Sequence, residues 1–365
     1  MARKATSGYA YEPDYAVPPG ATLQETIRAL GMTQKELAVR TGLTPKTVTG
    51  MINGKEPISH RTAVALQRVT GVPAQLWNNL ETNYRARLAR LDDAARLQEA
   101  VAWLTESSIP VQELIKRGVI KRTTDRIERV RAVLRFFGVG DPQAWERLWL
   151  SPDAAFRKSP RFKAQPGPTA TWLRLGELHA QEIECASYEA GNFKAALARI
   201  RTLTTCDPHK FQPEMIKLCA GAGVALVFVP EIKGCPTSGA AWWLTPEKAL
   251  IELSLRYKQD DHFWFSFFHE AGHILYDRKK EVFIDDGAAD DDRERRANMF
   301  AARFLIPREW EEALPTLRTR GAIVRFASRL GITPGIVVGR LQKDGVLPWR
   351  TNLNSLKRPL RWAHR

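Results

Sequence analysis

The segment FWFSFFHEAGHILYD, residues 263–277, constrains the fold more than any other part of the chain. His269 and His273 stand four residues apart, so a helix places both imidazoles on one face. Phe265 and Tyr276 continue the same face, and the aromatic run before the first histidine predicts that the helix is buried. The segment therefore predicts a buried helix with two potential metal ligands.

Glu270 directly follows the first of these histidines. In the pattern His-Glu-x-x-His, two imidazoles can bind zinc while the glutamate accepts a proton from a water molecule that the metal activates. A helix with two purely structural histidines is the alternative. A third ligand at a suitable position would decide between the two.

Several carboxylates follow and could complete the site: Asp277, Asp285, Asp286, Asp290, Asp291, Asp292 and Glu294. In ERRANMFAARFLIP, Glu294 shares the helical phase of the apolar residues, which predicts that it points inward and is the third ligand. The acidic run DDGAADDD, residues 285–292, lacks such a phase and predicts a solvated loop. Asn298 could hydrogen-bond a ligand histidine, and Tyr276 is a second candidate for support around the ligands.

Three segments, SGAAWWL, ALIELSLRYKQDDHFWFSFFHEAGHILY and ERRANMFAARFLIP, resemble the ImmA/IrrE family of metallopeptidases. The resemblance implies a zincin-like peptidase domain that holds Zn²⁺ through His269, His273 and Glu294. It also implies that Glu270 is the general base of an endopeptidase. The substrates it implies are repressors or antitoxins in stress, phage or toxin-antitoxin circuits.

The cysteines and the chain ends predict a cytoplasmic protein. Four cysteines, Cys185, Cys206, Cys219 and Cys235, form no C-x-x-C pair, which favours free thiols in a reducing compartment. The first 20 residues lack a secretory signal, and no apolar stretch is long enough to cross a membrane. Cys235 precedes the SGAAWWL strand, so its thiolate could reach the zinc and act as an inhibitory switch; a small buried residue is the alternative.

The N-terminal segments follow another pattern. TQKELAVRTG opens with the spacing of a capping box and ends at a glycine, and TPKTVTGMINGK then starts with Thr44 and Pro45, a typical N-cap and first helical residue. The apolar residues of the second segment face inward and leave Lys46, Thr47 and Thr49 outward. Two helices joined in this way predict a helix-turn-helix.

The run from PPGATLQETIRAL to TGVPAQLW resembles the Xre-type repressor domain of HigA-type antitoxins. The resemblance implies a five-helix domain over residues 22–91 that binds a double-stranded DNA operator, with a homodimer and a cognate toxin as further candidate partners. A bundle used only for protein contacts is the alternative, although a net charge of +15 favours nucleic acid. The residues that would contact bases or phosphates are Gln34, Lys46, Thr47, Thr49, Asn53 and Lys55.

The rest of the chain predicts a mainly α protein with a small β-sheet, an α+β fold. Residues 1–21 predict a flexible arm and residues 92–200 a helical connecting region. Short β-rich runs predict the sheet of a peptidase domain, residues 201–308. This small sheet ends near Leu255 and would offer an edge along which an extended substrate can lie. Residues 309–365 predict a helical C-terminal segment with a basic tail.

Two segments outside the main motifs leave their roles open. Residues 116–135 carry eight basic and two acidic side chains, which fits a solvated helix face or a nucleic-acid contact. AIVRFASRLGITPGIVVGRLQKDGVLPW repeats the helix-turn-helix pattern and is interpreted mainly as packing against the peptidase, with DNA contact as the alternative.

Two functional hypotheses remain. In the first, the protein is a DNA-binding, zinc-dependent endopeptidase that cleaves a regulatory protein. In the second, it is a HigA-like antitoxin or transcriptional repressor in which the metal site is not catalytic.

Overall fold

The computed structural model describes residues 15–150, 166–277, 283–285 and 292–363. The chain divides into two compact units, Met1–Val101 and Ala102–Arg365. Within the described ranges, no single helix is both long and apolar enough to cross a membrane; one bent pair, Arg320–Leu330 with Pro334–Lys343, passes by length and composition together. The mixture of many helices and one small sheet confirms the α+β class.

The first unit contains the helices α1 (Pro19–Ala29), α2 (Gln34–Thr41), α3 (Pro45–Ile52), α4 (His60–Thr70) and α5 (Ala74–Glu99). Thr33 and Thr44 cap α2 and α3 by accepting hydrogen bonds from backbone N–H groups of the first turn. Gly42 between these helices has a φ of 72°, a conformation that glycine adopts without strain. The core of the unit is built from one apolar face of each helix: Leu23, Ile27, Leu37, Val48, Met51, Leu66 and Trp77.

Two boundaries of this unit differ from those expected. Helix α1 begins at Pro19, so residues 19–21 belong to the helix and not to the arm. Proline suits the first helical position, and Gly20 lets this first turn pack closely on α3, because a Cβ there would lie 2.3 Å from backbone atoms of Ile52. Helix α5 continues to Glu99, beyond the expected end at residue 91.

The second unit begins with helices α6 (Trp103–Glu106), α7 (Val111–Lys116), α8 (Arg126–Phe137), α9 (Pro142–Leu150), α10 (Pro166–Gln181), α11 (Ala190–Thr202) and α12 (Pro208–Ala220). Then come strands β1 (Val224–Phe228), β2 (Gly239–Thr245) and β3 (Lys248–Leu253), helix α13 (Asp260–Tyr276), strand β4 (Phe283–Asp285) and helix α14 (Asp292–Leu305). Helices α15 (Arg320–Leu330) and α16 (Pro334–Lys343) close the order. Short 3-10 turns occupy Leu203–Thr205, Arg308–Thr316 and Asn352–Leu356.

The sheet has the order β1-β3-β2-β4. Strand β3 is parallel to β1 and antiparallel to β2, and β2 is antiparallel to β4. The three β-rich runs of the sequence form β1 to β3, as predicted. Strand β3, which ends at Leu253, is paired on both sides, so the outer strands in the described residues are β1 and β4. The edge expected for an extended substrate stays a prediction and would have to lie along one of these two strands.

Helix α13 packs on one face of the sheet and α10 on the other. Alternate residues of β3 divide between these layers: Ile251 and Leu253 join the core around Phe267, and Glu252 faces the opposite way. Glu252 is fully buried, and a Cβ on Gly176 of α10 would lie 2.0 Å from its Oε2. Helix α10, which the sequence assigned to a connecting region, therefore forms one layer of this unit.

We expect Glu252→Gln to stabilise the protein at pH 8 and to change its stability little at pH 4. Burial raises the pKa of Glu252 well above its usual range, so its carboxyl stays protonated in the folded state while the unfolded chain ionises. The free energy of unfolding therefore falls as the pH rises above the pKa that Glu252 has in the unfolded chain. Glutamine does not ionise, so the variant does not lose this free energy. The gain at pH 8 should be about 1–3 kcal/mol in urea unfolding. The exposed Glu184→Gln is the control, and an equal gain at both pH values would contradict the explanation.

Helices α15 and α16 are joined in helix-turn-helix fashion at Gly331, whose φ is 67°. In α16, however, the residues from Gly335 to Val338 are buried. A Cβ on Gly335 would lie 2.4 Å from Asp260 Oδ1, and one on Gly339 would lie 2.6 Å from Asp261 Oδ2, so this face is occupied by α13. The structure favours packing over DNA contact for this helix pair.

The residues after α16 hold the first turn of α13. Lys357 Nζ lies 2.6 Å from Asp261 Oδ2 in an ion pair with both side chains buried. The backbone N–H of Asp260 donates to the carbonyl of Arg358, and the N–H of Arg358 donates to Asp260 Oδ1. Removing one partner of such a buried pair typically costs about 3–5 kcal/mol, so these contacts fix the start of the helix that carries the histidines.

Candidate metal centre

Helices α13 and α14 pack closely against each other. A Cβ on Gly272 of α13 would lie 3.2 Å from Ala297 Cα, tighter than ordinary contact, so glycine allows the approach. His269 and His273 point from α13 toward α14, and Glu294 in the first turn of α14 points back toward them. The inward phase of Glu294 thus brings the three side chains together.

The three side chains offer ligand atoms at similar separations. His269 Nε2 lies 3.1 Å from His273 Nε2, and these atoms lie 3.2 Å and 3.3 Å from the two Glu294 oxygens. A tetrahedral zinc ion keeps its ligand atoms about 2.0–2.2 Å away, which sets them about 3.3–3.5 Å apart. The cluster fits such an ion, and in the described parts of the chain no other group of three or more candidate ligand residues converges in this way.

The electrostatics of the cluster favour a cation. Burial by itself would lower the pKa of His273, but hydrogen bonds with Asp277 and Glu294 outweigh it and raise the pKa to about 10. Burial would raise the pKa of Glu294, whereas hydrogen bonds from His269 and His273 lower it to about 2. The shift of the His273 pKa shows that nearby carboxylates stabilise positive charge at this point, and the shift of the Glu294 pKa shows that its carboxylate is ionised there.

Two further side chains orient the histidines. His269 Nδ1 donates to Asn298 Oδ1 at 3.0 Å, as the sequence suggested. His273 Nδ1 donates to Asp277 Oδ2 at 2.7 Å, and Arg296 donates to the other oxygen of Asp277 at 2.8 Å. Because Nδ1 carries the proton, each Nε2 is left to bind a metal. Asp277, one of the sequence candidates for the third ligand, supports a ligand instead; its position four residues after His273 was the signal.

We expect Asp277→Asn to weaken zinc binding about 10- to 100-fold, the usual effect of removing such a partner. Asparagine has the same shape, but it lacks the charge that holds the His273 ring and pairs with Arg296. Zinc affinity measured by competition with a chelator would show the change. Asp292→Asn, on the exposed start of α14, is the control, and equal affinities for both variants would contradict an orienting role.

Glu270 is fully buried beside the cluster, at the contact of α13 with β2. A Cβ on Gly239 would lie 2.7 Å from Glu270 Oε1 and 2.9 Å from its Cγ, so the first residue of β2 must be small to leave room for this side chain. The charge of Glu270 also contributes to raising the pKa of His273, which shows that it acts on the cluster at short range. Gly239 was missed in the sequence, where only its place at the start of a strand hinted at a close contact.

Two other sequence candidates are Tyr276 and Cys235. Tyr276 is 51% exposed and its ring packs edge-on against Phe300. Burial raises the pKa of the Cys235 thiol, which disfavours the thiolate that a zinc switch requires. The switch role of Cys235 stays a prediction. Of the acidic run 285–292, residues 286–291 lie outside the described residues.

The candidate DNA face is on α2, α3 and the turn after them. Lys46, Thr49, Asn53 and Lys55 are exposed, and Gln34 and Thr47 are half-buried. Thr49 Oγ1 donates to Gln34 Oε1 at 3.2 Å, which links the two helices across this surface. Thr47 shares a hydrogen bond of 2.8 Å with the cap residue Thr44. The six candidates thus come from one compact part of the first unit.

The basic segment 116–135 uses much of its charge internally. Arg117 donates to the carbonyls of Pro230 and Glu231, and Arg129 donates to the carbonyl of Thr123. Arg131 and Arg135 both pair with Glu128. These contacts favour a structural role for these arginines.

Comparison with known proteins gives a match within each of the two units. Residues 237–342 match the family model of the peptidase M78 type described as the IrrE N-terminal-like domain, and residues 23–77 match the helix-turn-helix model. The uncharacterized HTH-type transcriptional regulator YddM of Escherichia coli (strain K12) is 29% identical over 84 residues, which are 23% of this chain and 89% of YddM. The chain therefore has an N-terminal region that matches the helix-turn-helix model and a C-terminal region that matches the IrrE N-terminal-like domain of peptidase M78.

Proposed function

We propose that the protein is a DNA-binding, zinc-dependent endopeptidase that cleaves a regulatory protein, either a repressor or an antitoxin. The observation that carries the proposal is the convergence of His269, His273 and Glu294 with the buried Glu270 beside them. The match to an IrrE-like peptidase domain supports the reaction, and the helix-turn-helix domain supports a regulatory setting.

When bound, zinc would supply Lewis acidity that makes a water molecule more acidic and polarises the carbonyl of the bond to be cut. Glu270 would accept the proton of the attacking water and pass it to the leaving amine. Asn298 and Asp277 would hold the imidazoles in place through their Nδ1 atoms. The burial of Glu270 between α13 and β2 would keep its carboxylate fixed during these transfers.

Zinc-dependent cleavage of a partner protein tests the proposal directly. The purified protein, loaded with zinc, is incubated with the products of its neighbouring genes, and the masses of all species are followed. We expect one of them to be cut at a single position, and chelation should stop the reaction. If every candidate stays intact with zinc fully bound, the endopeptidase proposal fails for those partners.

We expect DNA binding by the first unit to weaken steeply with salt, because phosphate neutralisation releases counterions. Lys55→Ala should lower the affinity for all sequences about equally, since this residue would contact phosphate. Lys46→Ala should reduce the preference for one operator, since α3 would approach base edges. Gel shifts over a salt series would measure both effects. Unchanged binding by a chain that lacks residues 22–91 would contradict the assignment.

The alternative function is a HigA-like antitoxin or repressor whose metal site is not catalytic. The relative YddM favours it, because that protein is described as a transcriptional regulator. The 84 matched residues make up 89% of YddM but only 23% of this chain. In this reading the chain would bind a palindromic operator as a homodimer and could neutralise a cognate toxin. Regulation that survives the loss of proteolysis would support it.

A further inference from the structure

A cavity of about 720 Å³ opens beside the metal ligands and continues to the C-terminal helices. Glu294 and Asn298 line it at the metal centre, and Phe265 lines it on α13. Its opposite wall is α16, through residues on one face of that helix: Ile336, Gly339, Arg340, Lys343 and Asp344. The volume is in the range of ligand-binding cavities, and the lining joins the candidate catalytic site to the C-terminal helix pair.

Exposed apolar side chains gather in this cavity. Met299, Tyr257 and Trp349 are 46%, 50% and 61% exposed, and all three line it. Large apolar side chains that stay exposed together mark a binding surface. Met299 directly follows Asn298, the partner of His269, so the apolar part of the cavity begins next to the metal centre.

The wall formed by α16 has a surplus of positive charge. Arg340 is already paired, at 3.2 Å from Glu311 and 2.7 Å from Asp344. Arg303 reaches Glu311 only at 4.0 Å, and Lys343 forms no ion pair with any described residue. In this part of the lining two carboxylates face three basic side chains: Glu311 and Asp344 against Arg303, Arg340 and Lys343. Lys343 is therefore the basic side chain that remains available to a ligand.

The distances along α16 set a spacing. Ile336 and Lys343 are seven residues apart on one helical face, which corresponds to about 10 Å along the axis. An extended peptide covers that length in about three residues. Two further acids line the cavity. Asp261 is held by Lys357 and Glu294 by the two histidines of the metal centre, so neither is paired with Lys343.

We propose that this cavity selects a peptide segment with a large apolar side chain beside the bond to be cut and an acidic side chain about three positions away. Lys343 recognises the acidic side chain, and the apolar one lies toward Ile336, about 10 Å along α16, on a cavity surface that also presents Met299 and Trp349. The inference rests on the proposed peptidase function and narrows its substrate class.

Peptide binding to the zinc-loaded full chain with Glu270→Gln tests the selection without cleavage. Fluorescent peptides carry one Phe and, three positions before or after it, either Glu or Lys. Of the two Glu peptides, with Glu before or after Phe, we take the one that binds more tightly. We expect its affinity to be at least about tenfold higher than that of the peptide with Lys at the same position. Lys343→Glu should reverse that order, whereas Arg350→Glu, an exposed residue outside the cavity, should leave it unchanged. Trp349→Ala should weaken both peptides equally.

Equal affinities for the Glu and Lys peptides, a preference that survives Lys343→Glu, or no binding of any peptide would overturn the selection. Cleavage of the same peptides by the parent protein is measured separately. Selective binding without cleavage would contradict the peptidase function but support the proposed peptide selection. Cleavage at equal rates of the Glu and Lys peptides would support the peptidase function but contradict the selection.

Discussion

Glu270→Gln is expected to abolish nearly all cleavage of the partner protein while the protein keeps its zinc, its fold and its affinity for DNA. Glutamine has the shape of glutamate but cannot accept the proton of the attacking water. General acid–base catalysis is typically worth about a hundred- to ten-thousand-fold in rate, and the loss should fall in that range. Mass spectrometry of the partner over time measures it, and metal analysis of the same sample shows that the site is still loaded.

Glu312→Gln is a suitable control, because Glu312 is exposed and lies outside both the metal cluster and the lining of the cavity. It should cleave at the parent rate. A Glu270→Gln protein that regulates its target in cells as well as the parent does would show that catalysis is not needed in that role. The antitoxin or repressor function would then take first place.

Glu294→Ala is expected to lose both zinc and activity. The two Glu294 oxygens lie 3.2 Å and 3.3 Å from the histidine Nε2 atoms, so alanine removes one of the three protein ligands. Loss of a partner that only orients a ligand costs about 10- to 100-fold in metal affinity, and loss of a ligand should cost more than that. Metal content after dialysis against a weak chelator, together with the cleavage rate, measures both effects.

Glu309→Ala, at an exposed position after α14, is the matched control and should keep its metal. Full zinc occupancy in Glu294→Ala would mean that another carboxylate completes the site. The two variants also separate the roles of the two glutamates: Glu270→Gln should be inactive with metal bound, and Glu294→Ala should be inactive because the metal is lost.

The sequence by itself determined the local parts of this protein. Residues three or four apart on a helix share a face whatever surrounds them, so the phase of His269, His273 and Glu294 could be derived without a structure. The same holds for the capped turns at Thr33 and Thr44, which depend only on neighbouring residues. The β-rich runs also predicted three strands from their own composition.

The tertiary structure decided what depends on distant packing. Contacts between separate elements place Arg296 of α14 on Asp277, leave room for Glu270 beside Gly239, and put α16 along the cavity. The order of the strands is of the same kind: which strands meet decides that β3 is paired on both sides, and its own residues do not determine that position. Local periodicity shows which face of an element is buried, but not which neighbour covers it, because that choice belongs to the packing of the whole unit.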